Sequence, residues 1–142
     1  MKTLETPVLE TNTIGEDNTV TLPLGLLGFE RVKKYVLLSS PDEAPFMWFQ
    51  VMDDPNLAFL VVSPFVVDPD YSPDISDEDV RFLGLNSPED ALLFNIVTVR
   101  GNSTATINLK GPIVINRFTL VGKQVIPDNA NQYSVRHELA VE

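Results

Sequence analysis

Two apolar runs lie back to back around Asp53-Asp54-Pro55-Asn56, and they constrain the fold more than any other stretch. Phe46 to Met52 holds the single tryptophan, Trp48, between Met47 and Phe49. Leu57 to Val62 is a short, continuous apolar run that ends before Pro64, as a buried strand should. Proline presets φ, and Asp and Asn side chains bond their own nearby backbone, so the four residues between the runs read as a sharp turn. The pair is a β-hairpin at the centre of a β fold.

The rest of the chain repeats that alternation of strand and turn. Asn18 to Leu22 is a short strand, closed by Pro23, which offers no N–H to a ladder. Before it, Val8, Leu9 and Ile14 could form an edge strand in an otherwise polar start. Leu24 to Glu30 is an apolar loop whose glycines, Gly25 and Gly28, permit positive φ; it is expected to tuck inward rather than lie open. Lys34 to Ser39 is the next strand. In the second half, Leu92 to Arg100 is nearly continuously apolar, Gly101-Asn102-Ser103 turns the chain, and Thr104 to Leu109 alternates cleanly. Ile113 to Ile115 follows. Phe118 to Ile126 reads as a last strand with a bulge at Gly122, and Asp128 to Glu142 as a polar tail with one anchor, Tyr133. Strands recurring without intervening long helices predict a mainly β chain: a single small antiparallel β-barrel-like domain, 1–142, with one or two short helices.

Between the halves the chain turns acidic. Asp68, Asp70, Asp74, Asp77, Glu78 and Asp79 carry no base among them. Some of this has a local cause. Ser76 can cap a helix over Asp77–Leu83 whose first-turn acids complement the positive end of its dipole, and Gly84 can end it. Ser87 and Pro88 start a second, one-turn helix. The same run also suggests a calcium loop, with oxygens at Asp68, Asp70, Ser72, Asp74, Ser76 and Asp79. Pro73 stands where such a loop needs glycine, and Asp79 where it needs a bidentate Glu, so the capped helix is favoured.

Catalytic groups are scarce. There is no cysteine, and the one histidine, His137, stands in the polar tail between Arg136 and Glu138. No triad or histidine-based metal site follows from that inventory, so no enzyme, no cofactor and no metal are expected. Asp53 and Asp54 are neighbours, but their role in the turn is capping rather than proton sharing. Met1 to Glu10 lacks the apolar core of a signal peptide, and the apolar stretch Ala91 to Val99 is too short to span a bilayer, so a cytoplasmic location is expected. A formal net charge of −10 repels nucleic-acid phosphates and anionic membranes and attracts basic partners.

Several segments, in order, carry a resemblance. They are Gly25-Leu26-Leu27-Gly28-Phe29-Glu30, Pro45-Phe46-Met47-Trp48-Phe49-Gln50, Asp53 to Phe59, Pro69-Asp70-Tyr71, Thr106-Ile107-Asn108-Leu109, Asn116 with Gly122-Lys123-Gln124, and Tyr133 to His137. Together they resemble the FliW family of bacterial flagellar assembly factors. Leu27 departs from the pattern, since the family usually carries proline there. The resemblance implies a non-catalytic cytoplasmic protein that binds flagellin and, alternatively, the RNA-binding regulator CsrA. Holding CsrA, by an allosteric mode, would relieve its repression of flagellin mRNA translation, with no direct contact to nucleic acid or membrane. On that reading the CsrA-facing surface is the acidic segment: Asp68, Asp70, Tyr71, Asp74, Asp77, Glu78 and Asp79. Flagellin, or a shared surface, falls to Leu26, Leu27, Phe29, Glu30, Gln50, Asp53, Asp54 and Asn56. Trp48, Phe49 and Phe59 are read as scaffold. The alternative is a calcium-binding or ligand-binding β-barrel domain.

Overall fold

The computed structural model describes residues 19–100 and 104–140. The edge strand expected around Val8, Leu9 and Ile14 and the turn Gly101-Asn102-Ser103 lie outside the described residues. Four strands run in order from the amino side: β1 (Thr19–Thr21), β2 (Lys34–Ser39), β3 (Met47–Val51) and β4 (Ala58–Val62). Each pairs antiparallel with the next, and the central hairpin registers Phe49 against Phe59 and Trp48 against Leu60. Two short helices follow, α1 (Pro64–Val67) and α2 (Asp77–Leu83). The chain then returns through β5 (Ala91–Arg100), β6 (Thr104–Ile107), β7 (Ile113–Asn116), β8 (Gly122–Gln124) and β9 (His137–Ala140).

β5 organises the second half. Ala91 to Phe94 pair with β7, Asn95 and Ile96 with β4, and Val97 to Arg100 with β6. β8 extends β7, and β9 extends β6 on its far side. The first strand meets the β7–β8 branch at a parallel bridge, Thr21 with Val121, supported by the Thr21 N–H donating to the Leu120 carbonyl at 3.0 Å. The sheet therefore curls towards a barrel without closing into one.

Side-chain alternation sets the core. Tyr35 and Phe49 are fully buried and stack at 4.4 Å, with planes 4° apart. Val20, Leu22, Leu26, Val61, Ile113 and Ile115 pack with them. Trp48 points to the other face of its strand, where it is only half-buried. The scaffold's centre is thus Phe49 rather than the tryptophan beside it. β7 is buried along its whole length, because Ile113 and Ile115 face this core while Val114 packs beneath Leu83 of α2. A strand covered on both faces reads as a continuous apolar run, which is how Ile113-Val114-Ile115 appears in sequence.

Three expectations need correction. Phe118 to Ile126 is not one strand. Asn116 folds its start into a turn, accepting from the Phe118 and Thr119 N–H groups at 2.8 and 3.2 Å, and Leu120 sits at φ 58°. Gly122 is no bulge; a Cβ there would lie 2.9 Å from side-chain carbons of both Ile115 and Leu22, so glycine permits the close approach of β8 to the core. The stretch after Asp128 is not a loose tail either. It contributes β9 and a short 3-10 turn, Ala130–Gln132, and Tyr133 packs edge-on to Tyr71 at 4.7 Å.

The packing sets two expected outcomes. Phe49→Ala should cost about 3–5 kcal/mol by removing a fully buried ring, a loss read in urea unfolding with an unchanged m-value. Burial raises the Tyr35 and Tyr71 phenols to about 12 each. The fold thus favours their neutral forms, and that contribution is complete below the ordinary value of about 10 and is lost as pH climbs towards 12. Urea midpoints should fall across that window, and less so in Tyr71→Phe.

Candidate functional site

The acidic segment is built on a rigid frame. α2 spans Asp77–Leu83 as its caps dictate: the Ser76 hydroxyl accepts from the Asp79 N–H at 3.1 Å, and Gly84 takes φ 69° at the far end. Asn116 reaches up from β7, and its amide donates to the Leu83 carbonyl at 2.9 Å. Upstream, the Ser72 N–H donates to the Tyr133 hydroxyl, and Asn129 donates to the Ser72 carbonyl. Asp74 gives its N–H to Asn129 and receives the Asp128 N–H. The segment is therefore strapped to residues 128–133 through its backbone, leaving its side chains outward.

Not every predicted residue stays outward. Tyr71 is 3% exposed, and its hydroxyl donates to the Leu109 carbonyl at 2.7 Å with Asn95 beside it. Asp79 is 7% exposed and receives the Lys123 ammonium, which also lies 5.5 Å from the Phe82 ring centre. Burial sets these two apart from the exposed acids: the Tyr71 ring fills the core under the segment, and Asp79 neutralises a cation. Asp68 is spent locally, accepting from the Asp70 N–H at 3.1 Å. What remains is Asp70, Asp74, Asp77 and Glu78, all exposed. None makes an ion pair among the described residues, where Lys123–Asp79 is the only one. The positions of the calcium-loop reading do not converge, since Ser76 caps α2 and Asp79 binds Lys123. Among the described residues no three carboxylate or imidazole groups gather to hold a metal.

Beside these acids lies an apolar groove of about 510 Å3, walled by Phe65, Tyr71, Ile75, Val80, Leu85 and Leu93. Its residues come from α1, the acidic segment, α2 and β5, so no local sequence signal announces it.

The glycine loop splits. Leu26 is 1% exposed and joins the core, while Leu27 is 60% exposed. Phe29 is half open and rests edge-on against Phe59 at 5.0 Å. Gly25 cannot be replaced, since at φ 70° a Cβ would come within 2.7 Å of the Phe29 and Glu30 backbone. Where proline was expected, the Leu27 N–H donates to the Gln124 side chain at 3.0 Å, so a hydrogen bond ties down what the missing ring would have stiffened. The Gly28 N–H donates to the Glu30 carboxylate and is the main cause of its lowered pKa. A second groove, about 320 Å3, runs between Leu27, Phe29, Phe59, Ile96 and Val135. It shares no lining residue with the first.

The hairpin turn holds itself. Gln50 donates to the Asp54 and Leu57 carbonyls at 2.9 and 3.2 Å, and Asp54 accepts from the Asn56 N–H. Gln50 is therefore a brace, whereas Asp53 and Asn56 are exposed.

A family model described as FliW protein matches residues 3–139. The chain belongs to the FliW family. The flagellar assembly factor FliW of Syntrophus aciditrophicus (strain SB) is 38% identical over 127 residues, 89% of this chain and 80% of that protein. The FliW of Treponema denticola is 39% identical over 130 residues, covering 91% and 87%. A crystal structure of the flagellar assembly factor FliW superposes with a TM-score of 0.77 at 37% identity, over 86% of this chain and 85% of that one. The family's fold is thus the antiparallel sheet described above, and no helix among the described residues is long and apolar enough to cross a membrane.

The contrast between acids is testable. Asp79→Ala should cost about 1–3 kcal/mol, because it leaves the Lys123 ammonium without its partner. Asp77→Ala, an exposed acid at the positive end of a short helix, should cost no more than about 1 kcal/mol. Urea unfolding of the two variants gives the comparison.

Proposed function

We propose that this flagellar assembly factor works in the cytoplasm by binding rather than by catalysis, with two alternative partners. It holds flagellin and, when flagellin is scarce, holds CsrA, relieving repression of flagellin mRNA translation by an allosteric mode. The observation that carries this reading, beyond family membership, is the set of exposed, unpaired acids Asp70, Asp74, Asp77 and Glu78 on a strapped backbone. Carboxylates committed to no internal cation keep their field for a partner, and an RNA-binding regulator presents the opposite charge. The flagellin-facing surface is the second groove, where Leu27 and Phe29 offer the apolar area a subunit contact needs.

Titration with purified CsrA and flagellin, separately and in competition, tests the pairing; binding to neither contradicts it. Replacing Asp70, Asp74 and Asp77 by Asn and Glu78 by Gln should weaken CsrA association about tenfold or more at low salt and flatten its salt dependence. Identical binding by the two proteins at low and high salt would remove the acidic face from the reading. A folded Phe29→Ala protein should lose flagellin affinity while keeping CsrA affinity.

A further inference from the structure

The 510 Å3 groove is apolar inside and acidic outside, and that combination selects an occupant. Its floor and walls are aliphatic and aromatic: Leu93, Val80, Ile75 and Leu85, with Phe65 set edge-on to Tyr71 at 6.2 Å. The chain segments that line it also carry Asp70, Asp74, Asp77, Glu78 and Glu89, whose carboxylates have no ion pair or hydrogen bond among the described residues. Arg81 is the only base between Ser63 and Asp90. With Arg117 donating to the Glu89 carbonyl at one end, the acids still outnumber the bases, and a fatty acid, a nucleotide or an acidic peptide would meet an excess of like charge there.

The walls are also fixed before anything binds. Tyr71 is bonded to Leu109, Ser72 to Asn129 and Tyr133, and Asp74 to Asp128 and Asn129, while Leu83 is held by Asn116. The 3-10 turn Pro88–Asp90 closes one end, with the Asp90 carboxylate accepting from the Asn86 and Ser87 N–H groups. A preformed groove costs little to order on binding, which is the condition under which one buried anchor dominates affinity.

We infer that this groove is the anchor site for a basic amphipathic protein segment: an aliphatic or aromatic side chain enters it, and flanking Lys or Arg residues meet the acids around it. The inference deepens the acidic-face reading above and rests on it for the partner's identity. The anchor adds what charge alone does not supply, a register for the partner and an affinity component that survives salt.

The test uses a short fluorescent peptide of lysine and leucine with leucines at helical spacing, alongside purified CsrA. Ser72 and Asn86 line the groove from exposed positions, and their side chains make no hydrogen bond among the described residues. Ser72→Trp and Asn86→Trp therefore fill its mouth without touching the core, and unchanged circular dichroism and urea midpoints would confirm the fold. The peptide should bind the native protein and lose about tenfold or more in affinity in either variant. It should lose as much when its leucines become alanine or its lysines become glutamate. Amide shifts in the native protein should centre on Ile75, Val80, Leu85 and Leu93, an arm that does not depend on the variants folding. Peptide binding that ignores both tryptophans, or shifts confined to the acids, overturns the inference. So does concentration-dependent self-association abolished by Asn86→Trp, which would make a second copy the occupant. Should the peptide obey the groove while CsrA binds the native protein and ignores both tryptophans, the anchor site stands and the assignment of CsrA to this face fails.

Discussion

The fold depends on one strand finding partners for ten residues of backbone while serving three neighbours. β5 meets β7 with its first half, β4 at its middle and β6 with its second half. At the change-over stands Asn95, fully buried, whose amide donates to the Asn108 carbonyl at 2.7 Å, while the Asn108 N–H donates to the Ile96 carbonyl at 3.0 Å. Such a junction would otherwise bury unpaired backbone groups, each costing about 1–3 kcal/mol. Asn95 breaks an apolar run in sequence because the point where two ladders separate needs a polar side chain inside. Both grooves rest on this strand: Leu93 floors one and Ile96 walls the other.

In the adjacent strand, β7, Asn116 has the corresponding role. Its amide nitrogen closes the end of α2 and its oxygen shapes the turn into β8, so one side chain satisfies donors and acceptors on two elements. The turn it makes leaves Phe118 74% exposed, with Arg117 pinned to the Glu89 and Asp90 carbonyls. The acidic face and the sheet are therefore one mechanical unit. The same side chain joins the end of α2 to the β7–β8 turn.

What could be seen in sequence was whatever has a local cause. α2 begins and ends where Ser76 and Gly84 say, because a cap and a left-handed glycine act within one turn of the helix. The central hairpin was legible for the same reason. β9 was not: His137-Glu138-Leu139-Ala140 carries little apolar pattern, and it is a strand because β6 offers a free edge some thirty residues earlier in the chain. The site divided along the same line. Charge is visible residue by residue, so the exposed acids could be named. Burial is a property of the assembled fold, and it separates Tyr71 and Asp79 from Asp70 and Asp74 within one run. The glycine loop shows the same division between adjacent leucines, Leu26 turning into the core and Leu27 into solvent. A judgement passed on the loop as a whole could not hold for both.

The acidic face is held together without using its own charge. Among the described residues ion pairing secures Asp79 alone; the straps join the backbone of Ser72 and Asp74 to the side chains of Tyr133 and Asn129, and α2 is closed by the Asn116 amide. Had each acid been matched by a neighbouring base, the segment would be as rigid but electrically mute. Instead Asp70, Asp74, Asp77 and Glu78 stand on a fixed frame with their mutual repulsion screened only by water and salt. Exposure keeps that repulsion small, and at Asp77 and Glu78 the positive end of the α2 dipole offsets it. On the proposed reading a cationic partner relieves it on arrival, and the exposed acids favour the complex and steer the partner's approach before any apolar contact forms. Stability and recognition are assigned to different atoms of the same residues: the backbone holds, and the carboxylates reach outward.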